Sequence, residues 1–140
     1  MKIVIRTDAS NQIATGHVMR CLTLAKAFVS RGHDVCFICR KLQGDSIDWI
    51  KSQGFQVLVL PEPDGVIERC HPHSFWLETT QSRDAAQSIE LLLAHKLCPD
   101  YMIIDHYALS EQWEVALADY VKAIIVIDDL ADRAHRCQLL

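Results

Sequence analysis

Apolar residues along this chain fall into two alternating rhythms. Short continuous runs rich in Val, Ile, Phe and Cys occur at Lys2–Arg6, Asp34–Cys39, Phe55–Leu60, Tyr101–Asp105 and Ala123–Ile127. Strands that are apolar throughout are what a sheet covered on both faces requires. Between them, apolar positions recur at helical spacing over Thr15–Arg31, Asp45–Gln53, Ser82–Lys96 and Ser110–Tyr120. In the first of these, Val18, Cys21, Leu22, Ala25, Phe28 and Val29 form the stripe that would face the sheet. Gly32 and Gly54 stand where a left-handed residue closes a helix, and Ser82 and Ser110 suit N-caps. The alternation predicts an α/β fold, a doubly wound parallel sheet with strand order 3-2-1-4-5. Residues 61–81, with PEPDG and a histidine-rich stretch, read as one long loop at the strand ends.

Composition narrows the function classes. A chain of 140 residues, half of them hydrophobic, is long enough for one domain with a substantial core. A net charge of −4 without a Lys/Arg cluster argues against electrostatic binding to nucleic acid or an acidic membrane. The longest apolar run, Ala123–Ile127, is strand-sized rather than membrane-sized. The N-terminus lacks the pattern of a signal peptide, so a cytoplasmic location is expected. Cys36 and Cys39 form a CxxC, but inside a strand that spacing puts the two thiols on opposite faces, and no second CxxC follows. They read as buried strand cysteines. Cys70, His71 and His73 make a thin ligand set, so neither a metal nor another cofactor is expected.

Chemistry gathers at the carboxyl ends of the strands. Gly16 and His17 open the first helix just beyond strand one, where ligands of open α/β sheets collect. The positive end of a helix dipole favours the neutral imidazole that a general base needs. By position alone, His17 could equally be a first-turn residue without a role. Thr7–Asp8, Asp105–His106–Tyr107 and Asp128–Asp129 project from the same edge and could converge with it on one crevice. Asp105 reads equally well as a buried residue bonding to loop N–H groups, and one of Asp128 and Asp129 as turn chemistry. No GxGxxG follows strand one and no GxxxxGK[ST] occurs, so dinucleotide and P-loop binding find no support. A signalling receiver module fits poorly: Asp8 stands alone, strand three ends in Leu60–Pro61, and no Lys follows Ile127.

Three segments carry a more specific resemblance. RTDASNQIATGHVMRCLTLAKAF, IIDHYALSEQWE and VIDDLADRAHRCQLL, in that order, resemble the amino-terminal half of the pseudaminic-acid pathway hydrolases. Those enzymes remove UDP from UDP-2,4-diacetamido-2,4,6-trideoxy-β-L-altropyranose and share the GT-B, Rossmann-like architecture of certain glycosyltransferases. The resemblance implies that His17 is a general base activating the water that attacks the anomeric carbon. It also implies that Gly16 lets sugar or water approach the helix, and that Tyr107 helps line the sugar pocket. Asp8, at the end of strand one, joins Gly16 and Tyr107 as a candidate substrate-binding residue. The family often has glycine where this chain has Ala14, so a stiffer loop is expected here.

Family members continue into a second Rossmann-like domain that holds most of the uridine diphosphate contacts. Residues 1–140 are therefore expected to be a truncated N-terminal domain, lacking the nucleotide-binding one. UDP-sugar is the expected substrate. The fragment should be inactive alone and should self-associate through apolar Leu139 and Leu140, whereas the full-length protein is expected to be a monomer. Two alternatives stay open: a GT-B glycosyltransferase using a hydroxyl acceptor, and a non-catalytic nucleotide-sugar binding domain.

Overall fold

Five parallel strands form one sheet: β1 (Lys2–Thr7), β2 (Asp34–Arg40), β3 (Gln56–Leu60), β4 (Tyr101–Asp105) and β5 (Ala123–Val126). A computed structural model, describing residues 1–140, gives their order as β3-β2-β1-β4-β5, with every pairing parallel, as the strand pattern predicts. The order reverses between β1 and β4, the position at which ligands of open α/β sheets gather.

Side-chain alternation along each strand divides the core in two. Ile3, Ile5, Phe37, Cys39 and Ile103 pack against α1 (Gly16–Ser30) and α2 (Ile47–Ser52). Val4, Cys36, Ile38, Met102 and Ile104 pack on the other face, against α3 (Gln81–Ala94) and α4 (Glu111–Leu117). Cys36 and Cys39 thus lie on opposite faces, as their spacing requires, and burial pushes the Cys36 thiol up to about 11. On α1, Val18, Cys21, Leu22 and Ala25 are buried, but Val29 is 49% exposed. Adjacent helical residues point about 100° apart, and at this turn Phe28 takes the inward position.

The helix ends bear out Gly32 and Gly54, whose φ angles of +85° and +92° are left-handed. The expected N-caps need correction. Thr80, not Ser82, caps α3: its backbone is extended and its hydroxyl accepts the Arg83 N–H at 3.0 Å. Ser82 lies inside the first turn, where its hydroxyl accepts from Gln112. Ser110 does precede α4, but its hydroxyl is engaged by Gln81 and caps nothing. The stretch 61–81 is not a loop throughout, since Ser74–Leu77 forms a single 3-10 turn. Beyond β5, Leu139 pairs in parallel with Ile125 at the sheet edge. No helix is long and apolar enough to cross a membrane.

Candidate functional site

Period-two alternation at the end of β4 sends two neighbouring polar residues to opposite faces. Asp105 points with Ile103 toward α1, and His106 points with Ile104 toward α3 and α4. On the α1 side, His17 sits in the first turn with its ring Nδ1 at 2.6 Å from Asp105 Oδ1. Arg20, one turn further along the same helix face, grips both carboxylate oxygens, with Nε to Oδ2 at 2.8 Å and a terminal nitrogen to Oδ1 at 2.7 Å. The Cys21 thiol lies 3.5 Å from Oδ2. Burial pulls the Asp105 carboxyl upward, but the hydrogen bonds and charges of His17 and Arg20 outweigh it and hold the group below the usual carboxylate range. An ionised carboxylate only accepts, so His17 Nδ1 must carry the proton. In the neutral form of the ring the other nitrogen, Nε2, bears the lone pair. It has no protein partner and is not among the sealed, unsatisfied atoms.

Aromatic rings wall this histidine. Tyr107 meets the His17 ring edge-on at 4.4 Å between centroids, and Trp76 approaches to 6.0 Å. Trp76 stacks on Tyr107 at 5.6 Å, and His73 packs edge-on against Trp76 at 4.6 Å. The Tyr107 hydroxyl donates to Asp129. Burial first, and Asp129 second, push the Tyr107 hydroxyl above its ordinary range. Asp128 is the turn residue of its pair: its carboxylate accepts from the Leu130 and Ala131 N–H groups and from Arg133. Trp76 comes from the 3-10 turn and His73 from the residue just before it, within a stretch whose irregular pattern carries no periodic signal. Cys70 stands apart from this wall, exposed, with its thiol toward Glu68 at 3.8 Å.

Asp8 lies elsewhere. It shares the α3/α4 face with Arg6 and Arg40, fully enclosed, and both its oxygens are taken by protein. Oδ1 accepts from Arg6 at 2.6 Å and from the Arg40 backbone N–H at 2.7 Å, and Oδ2 faces His106 Nε2 at 2.9 Å. His106 Nδ1 accepts the Ala108 N–H at 3.1 Å, so Nε2 is its protonated nitrogen and donates to Asp8. Burial holds the His106 ring below its ordinary pKa, toward the neutral form. Asp84 completes the cluster from α3, accepting from Arg6 at 2.7 Å, Arg40 at 2.9 Å and the Trp113 indole at 2.7 Å. The Asp8 carboxylate, a candidate substrate contact by sequence, is thus enclosed with both oxygens already engaged by protein groups.

The loop from β1 to α1 is tightly wound. Ser10 accepts the Gln12 and Ile13 N–H groups on its hydroxyl, and the Ala14 N–H returns to the Ser10 carbonyl at 2.8 Å. Ala14 adopts φ +62°, a left-handed conformation that favours glycine. Ala14→Gly is expected to raise stability by about 0.5–1 kcal/mol, relieved strain exceeding the added unfolded-state entropy. A lower urea midpoint would contradict that. Gly16 is exposed, and a side chain there would meet nothing within 4 Å. The first turn of α1 has neither a side-chain cap nor an acidic residue.

No family model matches the chain. Over its whole length it is 29% identical to the UDP-2,4-diacetamido-2,4,6-trideoxy-beta-L-altropyranose hydrolase of Campylobacter jejuni. The chain spans about 40% of that protein's length. Among solved structures, MurG of Acinetobacter baumannii superposes with a TM-score of 0.56 at 12% identity, over 89% of this chain and 33% of that one. The chain is thus distantly similar to the N-terminal part of a UDP-sugar hydrolase, and its Rossmann-like sheet matches part of a GT-B protein.

Proposed function

We propose that this chain carries the water-activating half of a UDP-sugar hydrolase site, acting on a UDP-linked diacetamido-trideoxy sugar in pseudaminic acid synthesis. The observation that carries this reading is His17: an imidazole at the crevice edge, its Nδ1–H committed to Asp105, its Nε2 unpartnered. Similarity across the full chain to a hydrolase of that name supports it.

In this mechanism His17 Nε2 takes a proton from water, and the water oxygen attacks the anomeric carbon. The bond from that carbon to the diphosphate oxygen breaks, and its electron pair leaves with UDP. One base and one water suffice, so the anomeric centre inverts without a covalent intermediate. Gly16 leaves room above the helix start, and Tyr107 lines the sugar side of the base. A following domain is proposed to hold the uridine diphosphate.

The test is UDP release from the UDP-sugar by the intact protein, with NMR of the first-formed free sugar. Release without any added acceptor, giving the inverted anomer, is expected. Release only when a hydroxyl acceptor is supplied would favour a glycosyltransferase using the same base. Residues 1–140 alone are expected to give no turnover and to bind UDP weakly in calorimetric titration. Tight binding by this segment would overturn the assignment of the nucleotide contacts to another domain.

A further inference from the structure

We infer that Asp105, clamped by Arg20, is the positioning residue that holds His17 with Nδ1–H against the sheet and Nε2 toward the crevice. The inference rests on the reading of His17 as the base and adds the machinery that makes it one.

Three contacts carry the argument. The Asp105 carboxylate is wholly buried at the end of β4, so it cannot swing to follow a mobile ring. Its Oδ1 receives both His17 and Arg20, at 2.6 Å and 2.7 Å, and Oδ2 receives Arg20 Nε at 2.8 Å. The Arg20 nitrogen lies 3.4 Å from His17 Nδ1, but both are donors converging on one acceptor rather than bonding each other. The arrangement fixes the tautomer through a carboxylate that is itself fixed by a fork of donors.

Arg20 has a second consequence. A bare buried carboxylate beside an imidazole stabilises the imidazolium, which would occupy the base with a proton. Here Arg20 supplies a positive charge against the Asp105 carboxylate, with contacts of 2.8 Å and 2.7 Å to its two oxygens. The other titratable or charged groups around the ring do not replace Arg20. Burial keeps the Cys21 thiol neutral, Tyr107 gives its hydroxyl to Asp129, and His73 lies behind Trp76 and Tyr107. Arg133 stands 5.9 Å over the Tyr107 ring and is held by Asp128.

The experiment combines turnover with the His17 tautomer, read by ¹⁵N NMR in the intact protein. In the parent protein the Nδ1–H form is expected. Asp105→Asn should lower kcat about 10²–10⁴-fold with KM within about threefold, and should mix or invert the tautomer. Arg20→Gln, at a side chain 40% exposed, should fold normally. It should move the acid limb of the kcat–pH profile upward by about one unit, because the carboxylate then pulls the ring toward imidazolium. If Asp105→Asn does not fold, the Arg20→Gln profile decides alone. An unchanged acid limb in Arg20→Gln, or a parent ring in the Nε2–H form, would overturn the inference. If the tautomer behaves as expected while His17→Ala still turns over, positioning stands and the assignment of the base fails.

Discussion

Replacing His17 by Ala in the intact protein is expected to lower kcat for UDP release by about 10²–10⁴, the usual contribution of one positioned acid–base group. Substrate binding should change little, because a general base acts on the transition state far more than on the ground state. His17→Asn should do no better than Ala. An amide could keep the contact to Asp105 and orient a water, but it cannot accept that water's proton. The two substitutions separate chemistry from packing. The ring sits edge-on to Tyr107 at 4.4 Å and is 8% exposed; were its role packing alone, the smaller Asn would cost some stability and leave turnover near normal. Near-normal turnover by His17→Asn would end the general-base reading.

The largest loss of stability is expected from Asp84→Ala. Asp84 is completely buried and accepts from Arg6, Arg40 and Trp113, so its removal strands two guanidinium donors and an indole N–H in the core. Breaking a buried ion pair from one side costs about 3–5 kcal/mol, a large part of a small domain's total stability. Urea unfolding followed by circular dichroism reads it, with the exposed Ser82→Ala as a near-neutral control. A loss below about 1 kcal/mol would mean that the cluster is worth no more than a surface pair. The pH dependence has a definite sign. Burial pulls the Asp8 and Asp84 carboxyls up, but Arg6, with His106 at Asp8 and Arg40 at Asp84, outweighs it and holds both below the usual range. Their contribution is therefore present above the unfolded-state value of about 3.9 and is lost as pH falls below it.

Much of this architecture is legible in the residues. Continuous apolar strands separated by amphipathic helices specify the parallel sheet, and Gly32 and Gly54 mark two helix ends. At the site, period two in β4 separates Asp105 from His106, and the i, i+3 spacing of His17 and Arg20 puts both on one helix face. Asp8 is two residues from Arg6 and so shares its face. That alternation is a local signal for the buried pairing, one that a reading of strand ends alone passes over. Other features have no local signature. Asp84 sits on an amphipathic helix like any first-turn acid, and only the docking of α3 onto β1 and β2 brings it to Arg6 and Arg40. Trp76 reaches His17, with His73 packed behind it, from a stretch without periodicity, where Pro72 and the 3-10 turn set the chain's direction.

The buried charge cluster also acts as a check on assembly errors. Parallel strands rich in Val and Ile can slide past one another at little local cost, since neighbouring apolar side chains are nearly interchangeable. Arg6 and Arg40 end that indifference. A slip of one residue in β1 would turn Arg6 toward the apolar layer beneath α1 and put Ile5 or Thr7 opposite Asp84, leaving charges unmatched in both layers. Misaligned chains would thus stay loose and reversible until the pairing Arg6↔Ile38 and Thr7↔Asp105 is reached. The same arginines make the register of β1, and with it the alignment of the strand ends that carry Asp8 and Asp105, a condition of completing the fold.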